Sequence, residues 1–306
     1  AALFGVHPSH AFTSVETSPE YADRPRLNVL KKAGVSRVSI GIQSFQDEEL
    51  KAIKRRPRQN TIYQALDDIR QMDFPYFNID LIYGIKGQTV ESFLYSLEEA
   101  LRFQPNELFI YPLYVRQGTG ITEREPDDVC FRMYRAACKL LQAKGFLQTS
   151  MRRFIHHPST DAEVSCGDEV MLSCGSGGRS YLDDLQYATR YTVCQQCIAR
   201  EIDEYMATTD FTVARNGFIL SAKEQQQRFI IKNLMYYMGI DKAEYTRRFG
   251  EPLDRTPLFR QLAEQYWIEE TPERIRLTPE GLGYSDYIGQ LFITPEIRQL
   301  METYSY

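Results

Sequence analysis

The stretch YFNIDLIYG, residues 76–84, decides the fold of this 306-residue chain. It is a short apolar run rich in β-branched and aromatic residues, and a glycine closes it, as is typical of a buried strand. Three other runs share this character, and each leads into a conspicuous polar or aromatic side chain: AFTSVE (11–16), RVSIGIQSF (37–45) and ELFIYPLY (107–114). The sequence therefore predicts four strands.

Helical patterns separate and follow these strands. Apolar residues recur at three- and four-residue intervals, as they would on one face of an amphipathic helix. The predicted helices cover residues 24–33, 47–54, 61–72, 89–103 and 127–144. Strands joined through helices run parallel, and the crossover connections between them are right-handed. The sequence therefore predicts an α/β fold. Because only about four βα units are visible and a complete barrel has eight, a partial (βα) barrel of residues 1–150 fits best.

The polar ends of the four strands should meet. If the strands are parallel neighbours, Glu16, Gln43, Asp80 and Tyr114 gather at one rim of the sheet. In α/β barrels that rim, at the carboxyl ends of the strands, is the active face. The sequence therefore predicts a ligand site there.

Composition limits the function classes. The hydrophobic content of 43%, the charged content of 25% and the net charge of −5 are ordinary, and the charge gives no electrostatic case for nucleic-acid binding. No apolar run is long enough to span a bilayer, so we expect no membrane span. Six cysteines in a chain of this length do not make a disulfide scaffold. We therefore expect a cytoplasmic protein.

Several rim residues suit an organic ligand. Asp80 stands between Ile79 and Leu81, and burying a bare carboxylate is costly, so it needs a partner. A ribose diol or a neighbouring arginine would serve. The amide of Gln43 can donate and accept, and Arg55 could clamp a carboxylate, although a solvated helix end is the usual fate of such an arginine.

The rest of the chain has a different character. Residues 146–215 read as irregular, so we expect a bridge over 151–220. From residue 222 onward, three amphipathic helices precede a hairpin that turns near Pro272, and a further helix follows. This order is typical of a winged helix over 221–306. Its mixed acidic and basic residues favour a packing role over DNA binding.

Four cysteines fall within the bridge. Cys194 and Cys197 form a CxxC, and Cys166 and Cys174 precede them. A four-thiolate site for zinc or an auxiliary cluster is one interpretation. The other is that VCQQCIAREIDEY is simply a helix, which would place the CxxC sulfurs on one face without a metal.

Three segments together resemble a known family. VSRVSIGIQSF, FNIDLIYGIKGQTVESF and YPLY are similar to the oxygen-independent coproporphyrinogen III oxidases and their relatives among the radical S-adenosylmethionine (SAM) enzymes. The resemblance runs from about Ser14 to Gly120 and includes the spacing of the Gln, Arg and Asp positions. It implies a radical SAM oxidoreductase whose 5′-deoxyadenosyl radical abstracts a hydrogen atom from the substrate.

The resemblance also implies a role for each rim residue. Glu16 would contact the methionyl part of SAM, and Arg55 its carboxylate. Gln43 would bind the methionine or ribose, and Asp80 the ribose hydroxyls. Two further side chains would lie along the adenosine: Ile82 and Tyr114.

The chain departs from the family pattern at its start. The family's CxxxCxxC loop, whose thiolates hold a [4Fe–4S] cluster, is not in this sequence. We expect an amino-terminally truncated chain that does not bind the cluster as given, with the loop upstream of Ala1. SAM and the cluster would be the cofactors of the intact protein.

The resemblance leaves the substrate open. The segment LSCGSGGRSY is similar to a glycine-rich stretch on the substrate side of the family, where Arg179 and Tyr181 would meet a substrate carboxylate. A turn that packs the bridge is the equal alternative. A small-molecule substrate is expected, with a tetrapyrrole as a candidate, and an electron donor such as flavodoxin or ferredoxin. A haem-binding chaperone and a non-catalytic interaction module are the rival functions.

Overall fold

The structure is a computed structural model that describes residues 11–56, 58–116, 118–156, 170–190, 192, 194–253 and 256–303. These residues form two compact units. The first comprises the described residues of Ala1–Val115 and Ile121–Glu163, and the second those of Arg116–Gly120 and Val164–Tyr306. None of the helices in the described ranges is both long and apolar enough to cross a membrane.

The first unit is built on one sheet flanked by helices. Its elements in chain order are β1 (Ser14–Thr17), α1 (Arg24–Lys32), β2 (Arg37–Gln43), α2 (Asp47–Ala52), α3 (Gln59–Met72), β3 (Tyr76–Tyr83), α4 (Val90–Leu101), β4 (Glu107–Pro112), α5 (Asp127–Ala143), β5 (Leu147–Gln148) and β6 (Arg153–Ile155). The strand order is β1-β2-β3-β4-β6-β5. The first four strands are parallel, and β6 and β5 are antiparallel.

One face of this sheet makes the hydrophobic core. Ile40, Ile79 and Leu108 are register partners on β2, β3 and β4, and none of them is exposed to solvent. They pack in one cluster with apolar side chains of α3, α4 and α5, such as Leu66 and Leu97. Since side chains alternate along a strand, the intervening residues of each strand must lie on the opposite face.

The ends of the helices follow local chemistry. The Thr89 hydroxyl accepts a hydrogen bond from the Ser92 backbone N–H at 3.1 Å, and the Ser92 hydroxyl accepts one from the Thr89 N–H at 3.0 Å. This capping box satisfies two backbone donors that helix α4 itself leaves without partners. At the end of α3, Asp73 adopts the left-handed conformation that stops the helix before β3 begins.

The second unit holds two small antiparallel sheets and several helices. Its elements are β7 (Arg179–Leu182), β8 (Leu185–Ala188), α6 (Gln195–Ala207), β9 (Asn216–Ile219), α7 (Ala222–Leu234), β10 (Ile240–Asp241), α8 (Lys242–Phe249), α9 (Pro257–Glu264), β11 (Ile268–Glu270), β12 (Arg274–Leu277), α10 (Pro279–Gly283), α11 (Ser285–Leu291) and α12 (Pro295–Thr303). The sheets have the orders β7-β8-β9 and β10-β12-β11. Leu234, Ile240 and Ile288 lie at the centre of the carboxyl-terminal core.

The predicted α/β fold and its elements are confirmed in the first unit. All four strands and five helices are present, with ends within three residues of the predicted ones. Among the described residues the sheet has β1 and β5 at its edges. The description as part of a barrel, the winged-helix description of the carboxyl-terminal part and the three-segment division of the chain stay predictions.

The prediction of an irregular stretch over residues 146–215 is wrong in part. A hairpin of β7 and β8 turns on Asp183 and Asp184, and Asp183 has a φ of 42°. Two-residue hairpin turns are usually recognised in a sequence by Asn-Gly or Asp-Gly. The Asp-Asp pair at this turn is not such a signal. The helical interpretation of VCQQCIAREIDEY is confirmed by α6.

Candidate functional site

The sheet face opposite the core is polar. Glu16, Ser39, Asn78 and Glu107 are successive register partners across β1, β2, β3 and β4. Asp80 lies two residues further along β3 and therefore on the same face. We call this surface the polar face, and its members are Glu16, Arg37, Ser39, Asn78, Asp80, Glu107, Tyr111 and Arg153. Glu16 and Asp80, predicted to converge, do share one surface.

Asp80 is the most perturbed acid of the polar face. Asn78 Nδ2 donates to its Oδ1 at 2.7 Å, and the Ser39 hydroxyl donates to its Oδ2 at 3.5 Å. Burial is the main cause that raises the pKa of Asp80 to about 6, and the negative charge of Glu16 raises it further. The partners of this carboxylate are therefore an amide and a hydroxyl, not the arginine that the sequence left open.

One buried polar atom beside Asp80 lacks a hydrogen bond. The Asn78 side chain is fully buried, and its Oδ1 has no partner among the described residues. Leaving a buried acceptor unsatisfied costs about 1–3 kcal/mol. An incoming donor or water could satisfy this oxygen, so the polar face has capacity for a polar ligand beside Asp80.

Gln43 reaches the polar face through an irregularity at the end of β2. Gly41 pairs with Asp80, but Gln43 pairs with Leu81, so the register shifts by one residue between them. Gln43 also has a φ of 72°, in the left-handed region. A Cβ on Gly41 would stand only 2.5 Å from Gln43 Nε2. The amide of Gln43 therefore lies over Gly41, beside the strand position of Asp80.

A buried network anchors the chain just after Gln43. Glu49 on α2 is almost fully buried and accepts hydrogen bonds from the hydroxyls of Ser44, at 2.6 Å, and Ser92, at 2.5 Å. Gln88 Nε2 donates to the same carboxylate at 2.9 Å. These bonds tie the end of β2 to α2 and to the start of α4. They fix the position of Ser44, the residue that follows Gln43.

Arg55 lies at a cavity beside the polar face. The cavity has a volume of about 350 Å³, within the range of small-molecule sites. It opens at the carboxyl ends of β1 and β2, and its lining is Pro19, Glu20, Gly41, Ile42, Leu50, Arg55, Arg56, Arg58 and Ile62. Three arginines against one glutamate make it electropositive. Gly41 belongs both to the cavity and to the strand position beside Asp80.

The two predicted adenosine contacts occupy different settings. Ile82 is half-buried on β3, and its register partner on β4 is Tyr111. Tyr114 lies beyond the end of β4 and is 45% exposed. Its hydroxyl accepts a hydrogen bond from Arg152 Nη2 at 2.5 Å. Sequence reasoning chose Tyr114 and missed Tyr111, whose ring stacks on Phe109 on the polar face.

Tyr111 remains a hydrogen-bond donor at neutral pH. Burial raises the pKa of its phenol well above the usual range, and the charges of Asp80 and Glu16 raise it further. Ile82 shares a face of β3 with Asp80, and its register partner on β4 is Tyr111. Following that face across to β4 would have identified this tyrosine. The run ELFIYPLY was instead read by its last residue.

A buried ion triad lies at the other end of the polar face. Glu107 accepts from Arg37 Nε at 2.8 Å and from Arg153 Nη2 at 2.5 Å. Only 3% of the Glu107 side chain is exposed, against 14% for Arg37 and 12% for Arg153. Sequence reasoning missed all three residues, because charged residues at strand starts usually face solvent.

The two predicted substrate residues lie on the hairpin of the second unit. Arg179 and Tyr181 are two residues apart on β7 and so share a face. The guanidinium of Arg228, on α7, stands 4.8 Å from the centre of the Tyr181 ring. That contact fixes the ring within its own unit. A role for either residue toward a substrate stays a prediction.

The four-cysteine set is not assembled in the part of the chain that is described. Cys166 lies outside the described residues, and Cys174 is exposed. Cys194 and Cys197 are neighbours, with their sulfurs 3.0 Å apart. No three His, Cys, Asp or Glu side chains of the described ranges come together as a metal site.

These observations separate the two expected cofactors. SAM carries an amino group, a carboxylate and a ribose diol, and the site offers acidic groups, arginines and a buried acceptor without a partner. The residues present therefore fit SAM. A [4Fe–4S] cluster needs three thiolates, and the described residues do not bring three together.

Comparison with known proteins gives two domain matches. Residues 3–100 match the Radical SAM superfamily, and residues 220–283 match the HemN C-terminal domain. The chain is 25% identical over 295 residues to the heme chaperone HemW of Bacillus subtilis (strain 168), covering 91% of this chain and 76% of that protein. It is also 25% identical over 289 residues to the oxygen-independent coproporphyrinogen III oxidase of Thermostichus vulcanus, covering 88% and 89%.

The fold has a solved counterpart. The coproporphyrinogen III oxidase HemN from Escherichia coli superposes with a TM-score of 0.74 and 21% sequence identity, over 94% of this chain and 70% of that one. At this level of identity the likeness concerns the fold alone. The chain thus carries a Radical SAM domain followed by a HemN C-terminal domain, and it is similar both to proteins named heme chaperone HemW and to proteins named oxygen-independent coproporphyrinogen III oxidase.

Proposed function

We propose that the polar face and the adjoining cavity bind SAM. The observation that carries this proposal is the setting of Asp80, a buried carboxylate whose partners are an amide and a hydroxyl, beside the unsatisfied Asn78 Oδ1. A ribose diol would give this carboxylate two hydroxyl donors. Burial otherwise leaves the ionised form of Asp80 poorly stabilised, despite the positive charge of Arg37 on the same face.

The remaining roles follow the charges of the ligand. Arg55 in the electropositive cavity binds the carboxylate of SAM, and Glu16 binds its amino group. Gln43 lies between these regions, where its amide meets the methionine or the ribose. Two side chains would flank the adenosine: Ile82 and Tyr114. Opposite charges on the two sides of the site would fix the direction in which SAM lies.

The reaction belongs to the same proposal. SAM that is cleaved by one electron from a donor would supply a radical that removes a hydrogen atom from the substrate. The chain's own residues would bind and orient SAM and shield it from water. The relative from Thermostichus vulcanus is named an oxidase of coproporphyrinogen III, which supports a porphyrinogen-like tetrapyrrole as substrate. An electron donor such as flavodoxin or ferredoxin in the cytoplasm is part of the same proposal.

Calorimetric titration with SAM tests the binding proposal. Saturable binding of one SAM per chain is expected, and Glu16→Ala and Gln43→Ala should each weaken it by roughly 1–2 kcal/mol. Glu48→Ala is the matched control, because Glu48 is a largely exposed acid that pairs with Lys51. If both site variants bind SAM as tightly as the wild type, the assignment is wrong.

Haem transport is the second candidate function. It is supported by the match of 91% of the chain to a protein named heme chaperone HemW. Haem titration of the full-length protein, followed by the Soret absorbance, beside an assay of the same protein for 5′-deoxyadenosine release, distinguishes the two. Saturable haem binding without 5′-deoxyadenosine release favours the chaperone, and release that depends on a porphyrinogen favours the oxidase.

A further inference from the structure

Two cysteines outside the SAM site stand in position to react with each other. Cys194 precedes helix α6, and Cys197 lies in its first turn. Their sulfurs are 3.0 Å apart, and the Cys197 thiol donates a hydrogen bond to the Cys194 sulfur. A disulfide has a sulfur–sulfur bond of about 2 Å, so the two atoms need approach by only about 1 Å. Both residues are half-buried, which leaves them accessible to small reagents.

The surroundings differentiate the two thiols. Cys194 is the N-cap of the helix, and its backbone carbonyl accepts from Cys197 N–H at 2.9 Å. The positive end of a helix favours a thiolate nearby. The hydrogen bond to Cys194 is the main cause that raises the pKa of Cys197. Cys194 is therefore the better nucleophile, and Cys197 keeps its proton longer.

A neighbouring loop fixes the position of Cys194. A Cβ on Gly118 would stand 3.3 Å from the Cα of Cys194, so this glycine permits a close approach of the two backbones. Gly118 also has a φ of 88°, which a side chain would disfavour. The start of α6 is thus held against the loop that follows β4 along the chain. A displacement of the Cys194 backbone would therefore also displace that loop.

We propose that Cys194 and Cys197 form a thiol–disulfide redox site that reacts with low-molecular-weight disulfides. The Cys194 thiolate attacks one sulfur of the external disulfide, forms a mixed disulfide and releases one thiolate. Cys197 then attacks the Cys194 sulfur and releases the second. The protein loses two electrons and two protons, and the external disulfide becomes two thiols. This site is independent of the SAM proposal.

The alternative is half of a metal site. Two thiolates complete no tetrahedral zinc site, and within the described ranges no third ligand joins them. Cys166 and Cys174 are the other thiols of this stretch of sequence. The test therefore has to show that the pair reacts without them.

Mass spectrometry of the whole chain in glutathione buffers tests the proposal. Trypsin releases both thiols on one peptide, YTVCQQCIAR, residues 191–200. After acid quenching and alkylation, this peptide should pass from two alkylated thiols to one internal disulfide as oxidised glutathione increases. Cys197→Ser should trap glutathione on Cys194 roughly tenfold faster than on the exposed Cys174.

A double variant and the wild type supply the decisive comparisons. Cys166→Ser with Cys174→Ser should leave the oxidation of the pair unchanged, as circular dichroism confirms that the variants are folded. The proposal is overturned if residues 191–200 stay fully alkylated in buffers that glutathionylate Cys174. It is also overturned if the double variant abolishes the internal disulfide or if Cys197→Ser traps no glutathione.

Discussion

The side-chain amide of Gln43 occupies the space that a side chain on Gly41 would need. A Cβ on Gly41 would lie 2.5 Å from Gln43 Nε2. The register shift between these residues and the φ of 72° at Gln43 bring the amide to this place. Residue 41 thus has to be glycine for Gln43 to reach the polar face. A methyl group at this position would displace the amide of Gln43.

Gly41→Ala should weaken SAM binding while leaving the fold intact. The atom in the way is the end of a flexible side chain, so the amide of Gln43 can move aside. We expect a change in the free energy of unfolding below about 1 kcal/mol and a loss of roughly 1 kcal/mol in SAM binding. Urea denaturation and calorimetry measure the two quantities.

Gly289→Ala is the matched control for Gly41→Ala. A Cβ at Gly289 would meet only Met235, at 3.9 Å, which is ordinary contact. This variant should bind SAM as the wild type does. If Gly41→Ala also binds SAM normally, Gln43 is not held in place for the ligand.

Asp80→Asn should remove a pH dependence of stability. The folded pKa of about 6 exceeds the ordinary value of 3.8, so the folded protein keeps its proton longer than the unfolded chain does. This group's contribution to stability is fully present below about pH 4 and is lost as the pH rises through about 6. At about 1.4 kcal/mol per pKa unit, the loss is up to about 3 kcal/mol.

Urea denaturation of wild type and Asp80→Asn between pH 4 and 7 measures this effect. Asparagine cannot ionise, so the stability of the variant relative to wild type should increase across this range. Other titrating groups are common to both proteins and cancel in the difference. A difference that does not change with pH would mean that Asp80 has an ordinary pKa.

Glu107→Gln should destabilise the first unit strongly. The substitution removes the one negative charge between the guanidinium groups of Arg37 and Arg153, all three being largely buried. Breaking a buried ion pair from one side costs about 3–5 kcal/mol. Thermal and urea denaturation should show a loss of about 3 kcal/mol.

The same substitution at an exposed pair gives the comparison for Glu107. Glu48 pairs with Lys51, and its side chain is 85% exposed. Glu48→Gln should change the free energy of unfolding by less than about 0.5 kcal/mol. Equal losses for the two variants would show that the triad around Glu107 has no special stabilising effect.

Arg55→Ala should weaken the binding of the amino acid part of SAM and leave the binding of its adenosine part unchanged. The proposed contact is with the carboxylate, so the variant should weaken SAM binding by about 1–3 kcal/mol. 5′-Methylthioadenosine lacks the amino acid part and should bind both proteins equally. Arg26→Ala, which removes an exposed arginine paired with Asp23, is the control. If both ligands lose affinity equally, Arg55 affects the site as a whole.

The sequence predicted the fold well because its signals are local. The period of apolar residues located β1 to β4 and the helices between them, and parallel connection placed Glu16 and Asp80 on one surface. The alternation around Asp80 also contained Ser39 and Asn78, although their hydrogen bonds to this carboxylate depend on the strand register.

Other parts of the site depend on geometry that no local pattern carries. The placement of Gln43 rests on a register shift and a left-handed backbone. The partnership of Arg37 with Glu107 joins residues 70 positions apart, through two intervening strand pairings. The cavity at Arg55 needs the left-handed Lys54 to turn the chain after α2. Each of these appears only once the strands are assembled.

The titration of SAM into Asp80→Ala tests the central claim most directly. It is carried out at pH 8, where wild-type Asp80, with its pKa of about 6, is ionised. Asp67→Ala is the control, because Asp67 is an exposed acid that pairs with Arg70 on α3. Asp80→Ala should weaken SAM binding by about 1–3 kcal/mol, roughly 5- to 150-fold, while Asp67→Ala should bind SAM as the wild type does. SAM affinity equal to that of the wild type in Asp80→Ala would contradict the central claim.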